Sequence, residues 1–230
     1  MAEIDNAQDV ILVRASAKRN GLTSLILGIA LFVLALIMFA LLPLQFRLLG
    51  IFTTSAAIVS VLIGWFKIRE PEHSMVISRQ EIDYNHRKGN WQLQWKNVQR
   101  IDTPKVTKGT EQTTLSLVGI RVKDYEPILD AISPRLMSHM LMEQRPLLLQ
   151  APDQNCDSGN CFNDDLIEDD RFQSDTGKAY TGIQAMFGNR MTKLRSRLGY
   201  DIFINSAELD RSAEEFAELL RSCHRDVIGQ

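Results

Sequence analysis

From Leu22 to Phe66 the chain holds two uncharged apolar runs, LTSLILGIALFVLALIMFALL and LLGIFTTSAAIVSVLIGWF, parted by a short break from Pro43 to Arg47. Each run is close to the roughly 20 residues that a helix needs to cross a hydrocarbon core. The pattern therefore predicts a transmembrane hairpin over residues 22–66, with spans at 22–42 and 48–66. A cleavable signal peptide would have a shorter apolar core and small residues before its cleavage point, and Met38 and Ala40 make a poor pair for that. The break is too short for anything but antiparallel spans. Arg14, Lys18 and Arg19 precede the first span and Lys67 and Arg69 follow the second, whereas the connection offers only Arg47. That asymmetry places both termini in the cytoplasm, with residues 1–21 as a short cytoplasmic tail or interfacial helix.

Within the second run Ala56, Ser60 and Gly64 recur every four residues and form a small-residue stripe. Such a stripe lets helix backbones approach closely, either within the hairpin or between hairpins of a homo-oligomer. Neither span contains an ionisable side chain, so no proton or ion pathway is expected.

After a linker over residues 67–72, which reaches about 20 Å when extended, the period changes from helical to alternating. Met75 and Ile77 share one face of a strand, Ile82 and Tyr84 one face of the next, and Trp91, Leu93 and Trp95 one face of a third. NVQRI continues the ladder. A polar loop, TPKVTKGTEQ, separates it from TTLSLVGIRV, where the apolar phase shifts from Leu115 and Leu117 to Val118, Ile120 and Val122. The shift suggests a bulge near Val118 and Gly119. One apolar sheet face needs a cover. Residues 124–144 supply helical periodicity interrupted at Pro134, with Ser133 placed to cap a second piece. YDIFI is a further strand, and SAEEFAELLRSC a closing helix in which Ser212 and Glu215 have the spacing of a capping box.

The two-span hairpin, the S-x-x-E-I-x-Y segment before a strand ending in Trp, and the closing YDIFINSAELDRSAEEFAELL together resemble bacterial membrane proteins with a pleckstrin-homology-like domain. More closely, they resemble an uncharacterised Gram-negative family of two-span proteins known as a domain of unknown function. The likeness covers most of residues 20–225. It implies an α+β membrane protein: a transmembrane hairpin, then an antiparallel pleckstrin-homology-like domain over 73–225 with covering helices, at the cytoplasmic face of the bacterial inner membrane. The chain departs from a simple pattern of that kind by an inserted helical and acidic region at about 124–198. The family supplies no catalytic residue.

The 230 residues leave room for one modest domain beyond the hairpin, and a net charge of −2 gives no basic excess of the kind that nucleic acid would call for. Cys156, Cys161 and Cys223 are odd in number, and in a reducing cytoplasm all three are expected as free thiols. Between Asp153 and Asp175 eight acids face Arg171 alone. Asp153, Asn155 and Asp157 have the opening spacing of a calcium loop, but Gly159 falls one place late and Asp164 stands where a bidentate glutamate belongs. Cys156 and Cys161, with no histidine nearby, leave a zinc set incomplete. The stretch is therefore expected to be a solvated acidic linker that binds no metal.

The sign then reverses. Lys178, Arg190, Lys193, Arg195 and Arg197 occur with no acid from Thr176 to Tyr200. On a helix Phe187, Met191, Leu194 and Leu198 line one side with Arg190, Lys193 and Arg197 on a flank, a pattern that suits anionic lipid headgroups. It equally suits a helix that packs on the sheet with its charges in water. In the turn His86-Arg87-Lys88-Gly89, Arg87 and Lys88 form a second basic spot, which the family likeness implies for headgroup binding and solubility alone would also explain.

His73, His86, His139 and His224 fall in no metal-ligand spacing, Cys223 and His224 diverge on a helix, and no nucleophile elbow or phosphate loop occurs. The expectation is a non-enzymatic membrane-anchored adaptor without cofactor, which presents its domain to a protein partner or to lipid headgroups. The alternative is an assembly subunit that oligomerises through the hairpin.

Overall fold

The structure, a computed structural model, describes residues 3–5, 10–14, 21–41, 43, 47–68, 73–108, 111–150 and 168–229. The chain divides into two compact units, residues 15–72, and residues 1–14 together with 73–230.

In the first unit helices α1 (Gly21–Leu41) and α2 (Arg47–Ile68) pack against each other. Each is about 32 Å long, enough to span a bilayer core. Their apolar side chains point outward, Phe52 and Leu48 among the most exposed. The seam between them holds Gly21, Gly28 and Ala35 on α1 and Gly50, Ala57 and Gly64 on α2. A Cβ on Gly28 would lie 2.7 Å from Val61 Cγ2, and one on Gly64 2.7 Å from the Leu25 nitrogen. Of the stripe read from the sequence only Gly64 lies in this seam; Ser60 is half-buried and Ala56 exposed. Two helices crossing at a shallow angle meet every second turn, so the small residues recur every seven positions rather than every four. The hydroxyls of Thr53, Thr54 and Ser55 donate to the carbonyls of Leu49, Gly50 and Ile51 and need no outside partner.

The second unit is built on two antiparallel sheets. Strands β1 (Glu3–Asp5), β2 (Val10–Val13), β3 (Met75–Ile77), β4 (Glu81–His86) and β5 (Gly89–Gln94) pair in that order. The expected tail or interfacial helix is thus, over Val10–Val13, a strand: Val13 lies opposite Met75 and Ile11 opposite Ile77. Its β-branched VILV run fits a strand, but its partner lies beyond the hairpin. Tyr84 faces Trp91 and Ile82 faces Leu93 across the next pairing. A 3₁₀ turn at Trp95–Asn97 carries the chain into β6 (Val98–Asp102).

Strand β6 forms the second sheet with β9 (Leu117–Val122) and β12 (Ile202–Asn205), β9 in the centre. The expected polar loop between β6 and β9 is in fact a hairpin of β7 (Lys105–Lys108) and β8 (Glu111–Thr114). The irregularity lies between Val98 and Arg100 on β6, not at Val118. The phase shift in β9 has another cause, because both faces of this sheet are covered. Val118, Ile120 and Val122 belong to the main core, whereas Leu115 and Leu117 pack on a second, smaller core around Leu194, Leu198, Tyr200 and Phe203. Gly119 lets the Tyr200 ring lie on the strand, since a Cβ there would be 2.6 Å from the ring.

Helices α3 (Glu126–Ala131) and α4 (Pro134–Glu143) cover β5, with the Ser133 side chain accepting from the Leu136 amide as its position before Pro134 predicts. Next come α5 (Arg145–Gln150), the short hairpin β10 (Arg171–Gln173) with β11 (Ala179–Thr181), and α6 (Gly182–Leu198). Phe187, Met191, Leu194 and Leu198 are buried, as their spacing predicts, and Gly199 at φ +81° stops the helix in the left-handed conformation that glycine accepts. The region at 124–198 therefore contributes buried residues to both cores. Helix α7 (Ala213–Ile228), with the Ser212–Glu215 capping box formed, packs Phe216, Ala217 and Leu220 across β6 and β9.

Candidate functional site

The basic helix does not present the array of cations that its sequence suggests. Arg190 is 1% exposed; its Nε donates to Glu168 Oε1 at 2.5 Å and its Nη1 to the Leu141 carbonyl. It is withdrawn from any lipid surface because the α6 face that holds Phe187 and Met191 also carries it under α4. Lys193 reaches the other Glu168 oxygen at 3.1 Å, and Arg197 donates to the Leu148 carbonyl. Arg195 grips Asp201 through Nε and Nη2 and lies over the Tyr125 ring. Arg87, which is exposed, and Lys88, which is half-buried, sit apart from these in the β4–β5 turn. The calcium-like spacing, Cys156 and Cys161 fall outside the described residues; Cys223 is a free, half-buried thiol. Among the described residues no three histidine, cysteine or acidic side chains are arranged to hold a metal ion.

Geometry assembles a different site. A cleft of about 450 Å³ opens between α4–α5 on one side and the β8–β9 connection and the end of β12 on the other. Leu115, Leu117, Met140, Leu147 and Phe203 give it apolar walls, and Tyr84, Glu143, Gln144 and Glu208 are among its polar groups, beside Ser116, Gln150, Asn205 and Ser206. The Tyr84 hydroxyl donates to Glu208. Burial, and then the adjacent carboxylate, raise the phenol well above its ordinary value and keep it protonated. Behind Tyr84 its ring stacks on Trp91 at 5.0 Å. At the rim the His86 and His139 rings stack at 4.9 Å, 19° from parallel, each near a carboxylate: His86 is 3.7 Å from Glu208, His139 3.4 Å from Glu143. Burial above all, then His139, Lys88 and Arg87, push the His86 imidazole down to about 4, so it is neutral at pH 7.

Gln144 is the exception in this wall. It is 4% exposed, and neither its Nε2 nor its Oε1 has a hydrogen-bond partner among the described residues. An amide left in that state costs about 1–3 kcal/mol.

A family model described as a protein of unknown function, DUF2982, matches residues 75–226. The chain belongs to this family. No curated protein and no solved structure matches it. The DUF2982 match runs from the start of β3 to near the end of α7 and so takes in every polar group of the cleft, while the hairpin and the strands β1 and β2 lie outside it. Sequence reasoning missed this site. Tyr84 and Glu208 are 124 residues apart, and Gln144 closes an ordinary amphipathic helix; only the acids in SAELD and EQR, next to strand and helix ends, hint at it.

Proposed function

We propose that this DUF2982 protein is a non-enzymatic adaptor anchored in the bacterial inner membrane by α1 and α2, with its folded domain in the cytoplasm. The observation that carries the reading is the placement of the hairpin in the chain. The polypeptide leaves the five-stranded sheet at Val13, passes through both helices, and returns at Met75, which pairs with Val13. Both ends of the hairpin thus lead into neighbouring strands of one sheet, a connectivity suited to a domain that presents a surface to something else. The positive-inside distribution around the helices supports the cytoplasmic side. The two antiparallel sheets under a closing helix support a pleckstrin-homology-like domain.

A protein partner is favoured over lipid headgroups, because Arg190 is buried and Lys193 and Arg197 serve internal contacts; Arg87 and Lys88 remain as the lipid-facing candidates. The assembly reading is weakened, since Gly64 is used within the hairpin. The test is purification of the full-length protein from native membranes in mild detergent, with mass spectrometry of its companions. A stoichiometric protein supports the adaptor. Recovery alone with enriched anionic lipid overturns it in favour of a lipid-surface role.

A further inference from the structure

The cleft beside Gln144 has a composition that selects its occupant. An apolar part formed by Met140, Leu147 and Phe203 adjoins the carboxylates of Glu143 and Glu208 and neutral polar groups such as Gln150 and Asn205, and among the described residues no lysine or arginine lines the cleft. Glu143 keeps more than half of its side chain exposed, so it can meet an incoming cation. Among the described residues the buried Gln144 amide finds neither an acceptor for its Nε2 nor a donor for its Oε1. One group that satisfies both in a single planar pair is another amide, whose carbonyl accepts from Nε2 while its N–H donates to Oε1. A polypeptide backbone offers that group at every residue.

We propose that this cleft seats a segment of a partner protein that presents an apolar side chain next to a lysine or arginine. The apolar side chain enters between Met140, Leu147 and Phe203, the basic one pairs with Glu143, and a backbone amide of the segment completes Gln144. The assignment rests on the adaptor reading and gives it a docking site and a partner chemistry. It also requires Gln144 to burden the unliganded fold and to serve the bound one, a combination that a purely structural glutamine does not have.

The test uses full-length protein in detergent and a short fluorescein-labelled peptide of alternating leucine and lysine, followed by anisotropy at physiological salt. Wild type binds it and does not bind the leucine–glutamate counterpart. Glu143→Gln and Gln144→Met each weaken binding by about tenfold or more, while Gln144→Met unfolds at a higher temperature than wild type. Failure of wild type to bind, equal binding by both variants, or a lower unfolding temperature for Gln144→Met overturns the assignment. Companion purification separates the two levels. A native partner retained by both variants removes the cleft and leaves the adaptor, whereas wild type recovered without any partner removes the adaptor itself.

Discussion

Arg190 and Glu168 meet inside the protein, Nε to Oε1 at 2.5 Å, with 1% and 2% of their side chains exposed. The pair joins α6 to a residue three positions before β10; Arg190 also donates to the Leu141 carbonyl, and Lys193 lies 3.1 Å from the other Glu168 oxygen as a second cation. Removing one partner leaves a charge buried without its counterion. Arg190→Leu is expected to lower unfolding free energy by about 3–5 kcal/mol, whereas Arg190→Leu with Glu168→Leu costs much less, because two apolar side chains need no counterion. Urea denaturation of the two variants checks this. Equal losses would mean that the pair does not act as a unit.

The hairpin gives a second contrast. At Gly64 an added side chain meets the backbone of Leu25, and at Gly28 it meets the backbone of Val61, so neither clash is relieved by a rotamer change. Gly64→Leu and Gly28→Leu are expected to destabilise the helix pair by at least about 1–3 kcal/mol. Ala56→Leu, on the exposed side, leaves it intact. Light scattering of detergent-solubilised protein on heating reads the difference as an earlier onset of aggregation for the glycine variants only. Chemical cross-linking of Ala56→Leu in membranes adds the assembly test: an oligomer lost in that variant alone would restore the intermolecular reading of the stripe.

Much of the architecture is legible along the chain because it is local. The two long apolar helices, the alternation of Ile82 with Tyr84 and of Trp91 with Leu93, the Ser133 cap and the Ser212–Glu215 capping box each depend on neighbours within a few residues. What is not legible depends on distant partners. Val10–Val13 becomes a strand only because β3 returns beside it after the hairpin. Leu115 and Leu117 look like a broken alternation until Leu194 and Phe203 supply a second core. Arg190 sits within one turn of the buried Phe187 and Leu194, yet a basic side chain in a basic run gives no sign that Glu168 waits inside for it. The cleft is the extreme case, since its phenol comes from β4, Glu143 and Gln144 from the end of α4, and Glu208 from the turn after β12.

Acid should act through His86. Its imidazole is held near 4 in the folded protein by burial first and then by His139, Lys88 and Arg87, against about 6.5 in an unfolded chain. Below pH 6.5 the unfolded state therefore binds the extra proton, and linkage makes folding stability fall with falling pH from about 6.5 down to about 4. Above 6.5 this contribution is fully present and flat. His86→Gln is expected to reduce the slope of the unfolding midpoint between pH 6.5 and 5, where most carboxylates do not yet titrate. An unchanged slope in that interval would show that His86 is protonated as readily when folded as when unfolded.

Asp201, the residue before β12, accepts hydrogen bonds at both of its carboxylate oxygens. It is 0% exposed. One oxygen accepts from the Val122 amide at 2.8 Å and Arg195 Nη2 at 2.6 Å, the other from the Tyr125 hydroxyl at 2.8 Å and Arg195 Nε at 2.6 Å. Arg195 is raised above its ordinary value first by these bonds, and Tyr125 is raised by burial and then by the carboxylate. An asparagine at 201 keeps the shape but turns one acceptor oxygen into an amide donor that faces other donors, and it leaves Arg195 without its counterion. Asp201→Asn is therefore expected to cost about 3–5 kcal/mol, more than the roughly 1 kcal/mol of one ordinary hydrogen bond. Tyr125→Phe removes a single bond at the edge of the network and should cost about 1 kcal/mol. Urea midpoints for the two variants decide the matter: similar small losses would mean that the guanidinium finds water or another acid once Asp201 is neutral, and that the network's charge does not hold α6 to β9.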